Sequence, residues 1–201
     1  MDGNAVFAID TNQNVFEFDP APHVFVQVIG KLTQVAAHGG SVWGIDANQN
    51  VSIFDGQVFL QVPGKLTQIA VDSGSVWGIN ASHNVFVFDD AQLKFVQVSG
   101  SLMSIAVGGS GAEVWGIDPN QNVFHFDYGS QVFVQVPGNL TSIAVGGNLF
   151  PGVWGINAAG SIFQFNGTGF TQVPGQLKQI AVFDGSVWGI NSNQAVFRLE
   201  P

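Results

Sequence analysis

One short phrase recurs six times along the chain: Val6-Phe7-Ala8-Ile9-Asp10, and then Val-Trp-Gly-Ile followed by Asp or Asn at residues 42–46, 76–80, 114–118, 153–157 and 187–191. Its aromatic position advances from Phe7 through Trp43, Trp77, Trp115, Trp154 and Trp188 in steps of 36, 34, 38, 39 and 34 residues. A period in this range marks supersecondary units that cannot bury their apolar faces alone and must pack against one another. The phrase is flanked in every copy by further apolar runs, so the unit is the whole interval and not the phrase itself.

The copy at residues 66–101 displays the unit. Leu66-Thr67-Gln68-Ile69-Ala70-Val71, Ser75-Val76-Trp77-Gly78-Ile79-Asn80, Asn84-Val85-Phe86-Val87-Phe88-Asp89 and Phe95-Val96-Gln97-Val98 are separated by Gly, Asn, Asp and Ser. Runs of four to six β-branched and aromatic residues bounded by turn formers read as strands, here named A, B, C and D. The composition agrees: 18 Phe and 26 Gly with only 9% charged residues leave little material for solvated helix faces. Alternation puts Phe86 and Phe88 on one face of strand C, with Phe16 and Phe18, Phe124 and Phe126, and Phe163 and Phe165 as their counterparts in the core. The opposite face, with Glu17, Ile53, Val87, His125, Gln164 and Arg198, is expected to meet water in part.

Pro63-Gly64, Pro137-Gly138 and Pro174-Gly175, with Ile29-Gly30 and Ser99-Gly100 as variants, are expected to form the turn from D to A. Ala36, Ala70, Ala106, Ala144 and Ala181 occupy one column of strand A and suit a crowded centre. Gln27, Gln61, Gln97, Gln135 and Gln172, each between two apolar neighbours or a Thr and a Val of strand D, are expected to satisfy a neighbouring sheet's backbone.

Four-stranded units arranged radially bury each other's faces in a β-propeller. The expected fold is therefore all-β, a six-bladed propeller of ~36-residue units in one domain, 1–201, with units near 1–31, 32–65, 66–101, 102–139, 140–176 and 177–201. Strands B and C occur six times but A and D five times, so the terminal blades are expected to be incomplete. Either two three-stranded blades close the ring, or a leading D–A segment is missing. An open edge of this kind invites homo-oligomerisation.

Charge and cysteine content narrow the function classes. Fourteen acidic against five basic residues give a net charge of −9, which disfavours nucleic acid and anionic membranes. No cysteine is present, so thiol chemistry and thiolate metal sites are excluded, and neither a basic, apolar leader nor a run of ~20 apolar residues occurs. A cytoplasmic location without membrane insertion is expected.

The repeat Val-Trp-Gly-Ile-Asn, three residues, Asn-Val-Phe-x-Phe, a spacer, Phe-x-Gln-Val-Pro-Gly-x-Leu-x-x-Ile-Ala-Val-Gly resembles the tectonin β-propeller repeat across residues 5–200. It is most similar to the cysteine-free fungal tectonin lectins, which are related to fish egg lectins. That resemblance implies tectonin-repeat blades and a multivalent lectin, with O-methylated sugars on bacterial or nematode surface polysaccharides as the ligand class, in a setting of innate defence. The first copy departs from the pattern, with Phe7-Ala8 in place of Trp-Gly.

Trp43, Trp77, Trp115, Trp154 and Trp188 can either pack between blades or offer a flat face to sugar C–H groups. Small neighbours such as Gly44, Gly78, Gly116, Gly155 and Gly189 could leave a niche beside them for a methyl group or sugar ring. Asp46, Asn80, Asp118, Asn157 and Asn191 follow strand B, as Asp10 does, and Asn50, Asn84 and Asn122 begin strand C, as Asn14 does. Their oxygens and amides can close their own turns or bridge vicinal hydroxyls. The Asp-x-Asn-x-Asn spacing echoes the start of a calcium loop but lacks the glycine and distal glutamate, and no metal or cofactor is expected.

His23, His38, His83 and His125 fall in four different columns, and no paired carboxylates or Ser-His-Asp order stand out, so no enzyme activity is expected. The alternatives are a protein-interaction propeller, with Asn148-Leu149-Phe150-Pro151 as a candidate blade-specific patch, and an engineered propeller without a selected ligand.

Overall fold

The structure, a computed structural model, describes residues 5–146, 152–183 and 185–199. The Asn148–Pro151 patch lies outside them. The chain is an all-β, six-bladed β-propeller whose blades are antiparallel four-stranded sheets, with three strands described in the first and the last. It divides into two compact units, residues 1–97 and 98–201.

In the first unit, β1 (Phe7–Ile9), β2 (Asn14–Asp19) and β3 (Val24–Lys31) form one sheet. β4 (Gln34–His38), β5 (Ser41–Ile45), β6 (Asn50–Phe54) and β7 (Phe59–Lys65) form the next. β8 (Gln68–Asp72), β9 (Ser75–Ile79), β10 (Asn84–Asp89) and β11 (Lys94–Ser101) form the third, its last strand reaching the boundary. The second unit holds β12 (Ser104–Gly108), β13 (Glu113–Ile117), β14 (Asn122–Asp127) and β15 (Val132–Asn139). Then come β16 (Ser142–Val145), β17 (Val153–Ile156), β18 (Ser161–Phe165) and β19 (Phe170–Gln176), and finally β20 (Gln179–Phe183), β21 (Ser186–Ile190) and β22 (Val196–Arg198). Each sheet is an up-and-down meander, as short hairpin turns between sequential strands require.

Strand B explains the repeated phrase. It is paired on both edges and covered on both faces, so Val42, Trp43, Ile45, Val114, Trp115 and Ile117 are all at most 4% exposed, and a continuous apolar run replaces alternation. The glycine in the phrase is a socket. A Cβ added to Gly44 would come within 2.3 Å of Leu32 Cδ1, and one added to Gly116 within 2.3 Å of Leu102 Cδ1. The leucine that opens strand A thus fills the niche of its own blade, and Leu66 at Gly78, Leu140 at Gly155 and Leu177 at Gly189 repeat the contact. This corrects the expectation that those glycines leave room for a sugar or methyl group.

A second rule joins neighbouring sheets. The strand B aromatic of one sheet packs between the last Phe of strand C and the Phe of strand D in the next. Phe7 lies 5.4 Å from Phe54 and 6.5 Å from Phe59, Trp43 4.7 Å from Phe88 and 5.9 Å from Phe95, and Trp115 4.8 Å from Phe165 and 6.0 Å from Phe170, all edge-on. Such T-shaped pairs add to plain area burial.

Two sequence expectations change in detail, those for the Pro-Gly pairs and for the strand D glutamines, while the strand C face that meets water in part gains a partner. Pro63-Gly64 is not the D–A turn but a bulge inside β7, where the register jumps from Asn50↔Lys65 to Val51↔Val62. The same jump follows Asn122↔Asn139 in β14–β15. Proline has no N–H for the ladder, and Gly64 at φ 139° takes a conformation that side chains resist.

The strand C residues expected to face water stand directly opposite the strand B aromatic: Ile53 opposite Trp43, His125 opposite Trp115, Arg198 opposite Trp188. They share its face because pairing across an antiparallel ladder keeps side chains on one side. The strand D glutamines are exposed, because D is the outer edge. The tie to a neighbouring sheet comes from strand A instead, where Gln34 Nε2 donates to Ile69 O and Ile69 N–H donates to Gln34 Oε1, both at 3.1 Å.

Candidate functional site

The B–C turns form one polar cap per blade. Asp46 Oδ1 accepts from the N–H groups of Asn48 and Asn50 at 2.8 Å, and its Oδ2 accepts from Asn50 Nδ2 at 2.7 Å. Asp10 with Asn12 and Asn14, and Asp118 with Asn120 and Asn122, repeat the geometry. Asn80, Asn157 and Asn191 accept the same two backbone bonds. In the first two blades a lysine closes the cap: Lys31 Nζ donates to Asn12 O at 2.8 Å, and Lys65 Nζ to Asn48 O at 2.7 Å and Asn50 Oδ1 at 3.1 Å.

The hydrogen bond from Asn14 is the main influence holding Asp10 below the ordinary carboxylate range. At Asp46 burial pushes upward, and the bonds from Asn50 and Asn48 outweigh it. The turn role is therefore filled in every copy, and the Asn50, Asn84 and Asn122 side chains are half-buried.

The tryptophans divide unequally. Trp43, Trp77, Trp115 and Trp154 are 1–4% exposed, whereas Trp188 is 45% exposed with the Arg198 guanidinium 5.6 Å from its ring centre. The buried indoles keep their N–H groups paired inside the fold, Trp43 to Ser41 Oγ at 2.9 Å and Trp77 to Ser75 Oγ at 3.0 Å.

The fourth blade replaces that serine with Glu113. Its Oε2 accepts from Trp115 Nε1 at 2.9 Å and lies 3.1 Å from His125 Nε2, while the His125 ring stacks on Trp115 at 4.5 Å and 32°. The His125 contact is the main reason the Glu113 carboxyl sits below its ordinary value of 4.5. A lowered native value stabilises the fold above the ordinary value, and that contribution fades as pH falls through the native one. Glu113→Gln is expected to flatten acid unfolding below about pH 4.5 in a urea titration series. The change should stay under about 1 kcal/mol, because the carboxylate side chain is 43% exposed and screened.

Packing of β4 on β8 also joins residues that the sequence leaves unrelated. His38 Nδ1 lies 2.7 Å from Oδ1 of the buried Asp72, and Ser73 Oγ is 3.5 Å from His38 Nε2. At that distance the serine is not an engaged donor, so the His38–Asp72 pair is a polar tie between sheets. Among the described residues no group of three or more His, Asp and Glu side chains is placed to hold a metal ion, and no helix is long and apolar enough to cross a membrane.

A cleft of about 500 Å³ opens where the first sheet meets the second. Phe7, Phe18 and Phe54 supply aromatic walls, and Glu17 and Asp55 bring carboxylates to the rim. Asp55 is held ionised chiefly by the N–H of Val58, with Gln57 assisting; both donate to Oδ1 at 2.8 Å. Sequence reasoning passed over this cleft, although its signal was the Phe7-Ala8 copy that has the smaller aromatic.

Sheets of this topology, joined by buried strand B aromatics and capped by Asx turns, define a repeat-built β-propeller. The Tectonin domain model matches residues 1–168 and again residues 112–201, and the chain belongs to the Tectonin domain family. A 49-residue stretch is 41% identical to Tectonin-1 of Physarum polycephalum, covering 24% of this chain and 23% of that protein, so the chain aligns with about a quarter of its length. Among solved structures, Prp20p of Saccharomyces cerevisiae, described with its binding to Gsp1p and histones, superposes with a TM-score of 0.76 at 12% identity, covering 98% of this chain and 69% of Prp20p. YCF48, solved bound to D1 peptide, gives 0.74 at 15% identity over all of this chain and 77% of YCF48. At such identities these likenesses show the fold alone.

Proposed function

We propose that this protein is a multivalent carbohydrate-binding lectin, not an enzyme, whose ligands are neutral glycans and in particular O-methylated sugars of surface polysaccharides. The Tectonin family is associated with lectin function and is generally non-enzymatic. The observation that carries the reading is the cleft between the first two sheets, where the rings of Phe7, Phe18 and Phe54 adjoin the carboxylates of Glu17 and Asp55. Aromatic faces pack on sugar C–H groups and O-methyls, while carboxylate oxygens accept pairs of neighbouring hydroxyls. Its volume of about 500 Å³ falls in the range of small-ligand sites.

The caps at Asp46/Asn50, Asn80/Asn84, Asp118/Asn122, Asn157 and Asn191 add repeated half-buried polar groups along the blades, and the exposed Trp188 adds one further aromatic face. Weak sites near 1 mM for a monosaccharide would combine on a polymer with avidity gains of ~10² to 10⁴. A methylated-glycan array followed by calorimetry tests this. Binding to methylated polysaccharides that falls at least about tenfold in Glu17→Gln/Asp55→Asn, a change of ~1.4 kcal/mol, is the expected result. A blank array for methylated and unmethylated glycans alike overturns the proposal.

A further inference from the structure

The seam between the first two sheets departs from its neighbour at the ring that fills it. Trp43 donates its indole N–H to Ser41 Oγ and Trp77 to Ser75 Oγ, whereas the first copy carries Ala5 and Phe7 at the same two positions. Phe7 keeps the edge-on contacts, with Phe54 and Phe59, that Trp43 makes with Phe88 and Phe95. What is missing is the further bulk of an indole and the hydroxyl that holds it. The cleft of about 500 Å³ runs along these residues, so its space follows from Ala5 and Phe7 themselves.

Its charge is equally particular. Glu17 stands opposite Phe7 on the ladder, where Ile53 stands opposite Trp43 in the next sheet. Glu17 is half-buried, and among the described residues no hydrogen bond or ion pair engages its carboxylate. Asp55 adds a second carboxylate at the rim, fixed there by the N–H groups of Val58 and Gln57 at 2.8 Å. Among the described residues no Lys, Arg or His lines the cleft. A half-buried carboxylate without a partner, beside aromatic rings, is a place for a cation.

We propose that this cleft binds the trimethylammonium head of a choline-type cation, with its methyl groups against Phe7, Phe18 and Phe54 and its charge beside Glu17 and Asp55. A metal ion needs a shell of oxygen ligands that this lining does not supply, and a primary ammonium needs acceptors for three N–H donors. A trimethylammonium needs neither, because its charge is spread over methyl groups that pack on ring faces. A neutral O-methyl group presses the same surface on a ring, so the inference goes beyond the glycan reading without resting on it. A phosphate joined to the cation would face both carboxylates, so free choline is preferred to phosphocholine, the form carried by lipid headgroups.

The test is calorimetric titration of the protein with choline chloride, with phosphocholine and with dimethylbutanol, the isostere in which carbon replaces the nitrogen. Saturable choline binding at ~1 mM or below, at least about tenfold tighter than either analogue, is the expected result. Glu17→Gln should remove the preference for the cation over its neutral isostere. Ala5→Ser/Phe7→Trp, which rebuilds the pattern of the neighbouring seam, should abolish choline binding with an unchanged or higher melting temperature. No saturation with choline in the millimolar range, equal binding of dimethylbutanol, phosphocholine binding as tight as choline, or full choline binding in either variant overturns the proposal. The glycan array is read separately. Choline binding beside a blank array keeps this inference and overturns the lectin proposal, and a positive array without choline binding does the reverse.

Discussion

Trp115→Ala is expected to destabilise the protein by about 3–5 kcal/mol, the range for deleting a large aromatic from a packed core. Trp115 is 1% exposed and touches Phe165, Phe170 and His125, and its N–H binds Glu113, so the substitution empties a cavity and removes one hydrogen bond from the Glu113 carboxylate. Trp188→Ala at the equivalent position should cost only about 1 kcal/mol, because that indole is 45% exposed and already hydrated. Urea denaturation of both variants checks the contrast. Equal losses would mean that repeat position, and not burial, sets the energetics.

Gly116→Ala should cost about 1–3 kcal/mol although it adds a single methyl group. The new Cβ would sit 2.3 Å from Leu102 Cδ1 and 2.9 Å from Cδ2, and Leu102 is itself 1% exposed with nowhere to move. The double variant with Leu102→Ala isolates the clash. Leu102→Ala alone opens a cavity worth about 2–5 kcal/mol, yet adding Gly116→Ala to it should cost less than the two losses summed, by about 1–3 kcal/mol. Additivity within error would show that the leucine does not fill the glycine socket.

Much of this architecture was legible because the repeat enforces it. A Val-Trp-Gly-Ile run with no alternation is what a strand covered on both faces demands, and the Phe pair of strand C marks the face that meets its neighbour. The partner of each Trp was not legible. Trp43 and Phe88 lie 45 residues apart in the chain, and nothing local says which ring meets which. The same gap explains the leucine in the glycine socket, the His38–Asp72 tie and the tie made by Gln34: each depends on how one sheet leans on the next.

The candidate site divides along that line. Asp46, Asn50 and their counterparts could be read as turn residues because an Asx side chain bonds its own backbone within four positions, a purely local event. The cleft walled by Phe7, Phe18 and Phe54 was signalled only by the odd Phe7-Ala8 copy, and its volume was not legible, since it exists only where two sheets diverge.

What the order of residues determined is the unit: four strands, their inward faces, their caps and their number, all governed by spacing two to forty positions long. Only the tertiary structure decided which seams are solid and which hold space. That depends on the match of side-chain volumes across sheets, where the Phe170 ring over Gly138 closes one crevice and the meeting of the first two sheets at Phe7, Phe18 and Phe54 leaves another open.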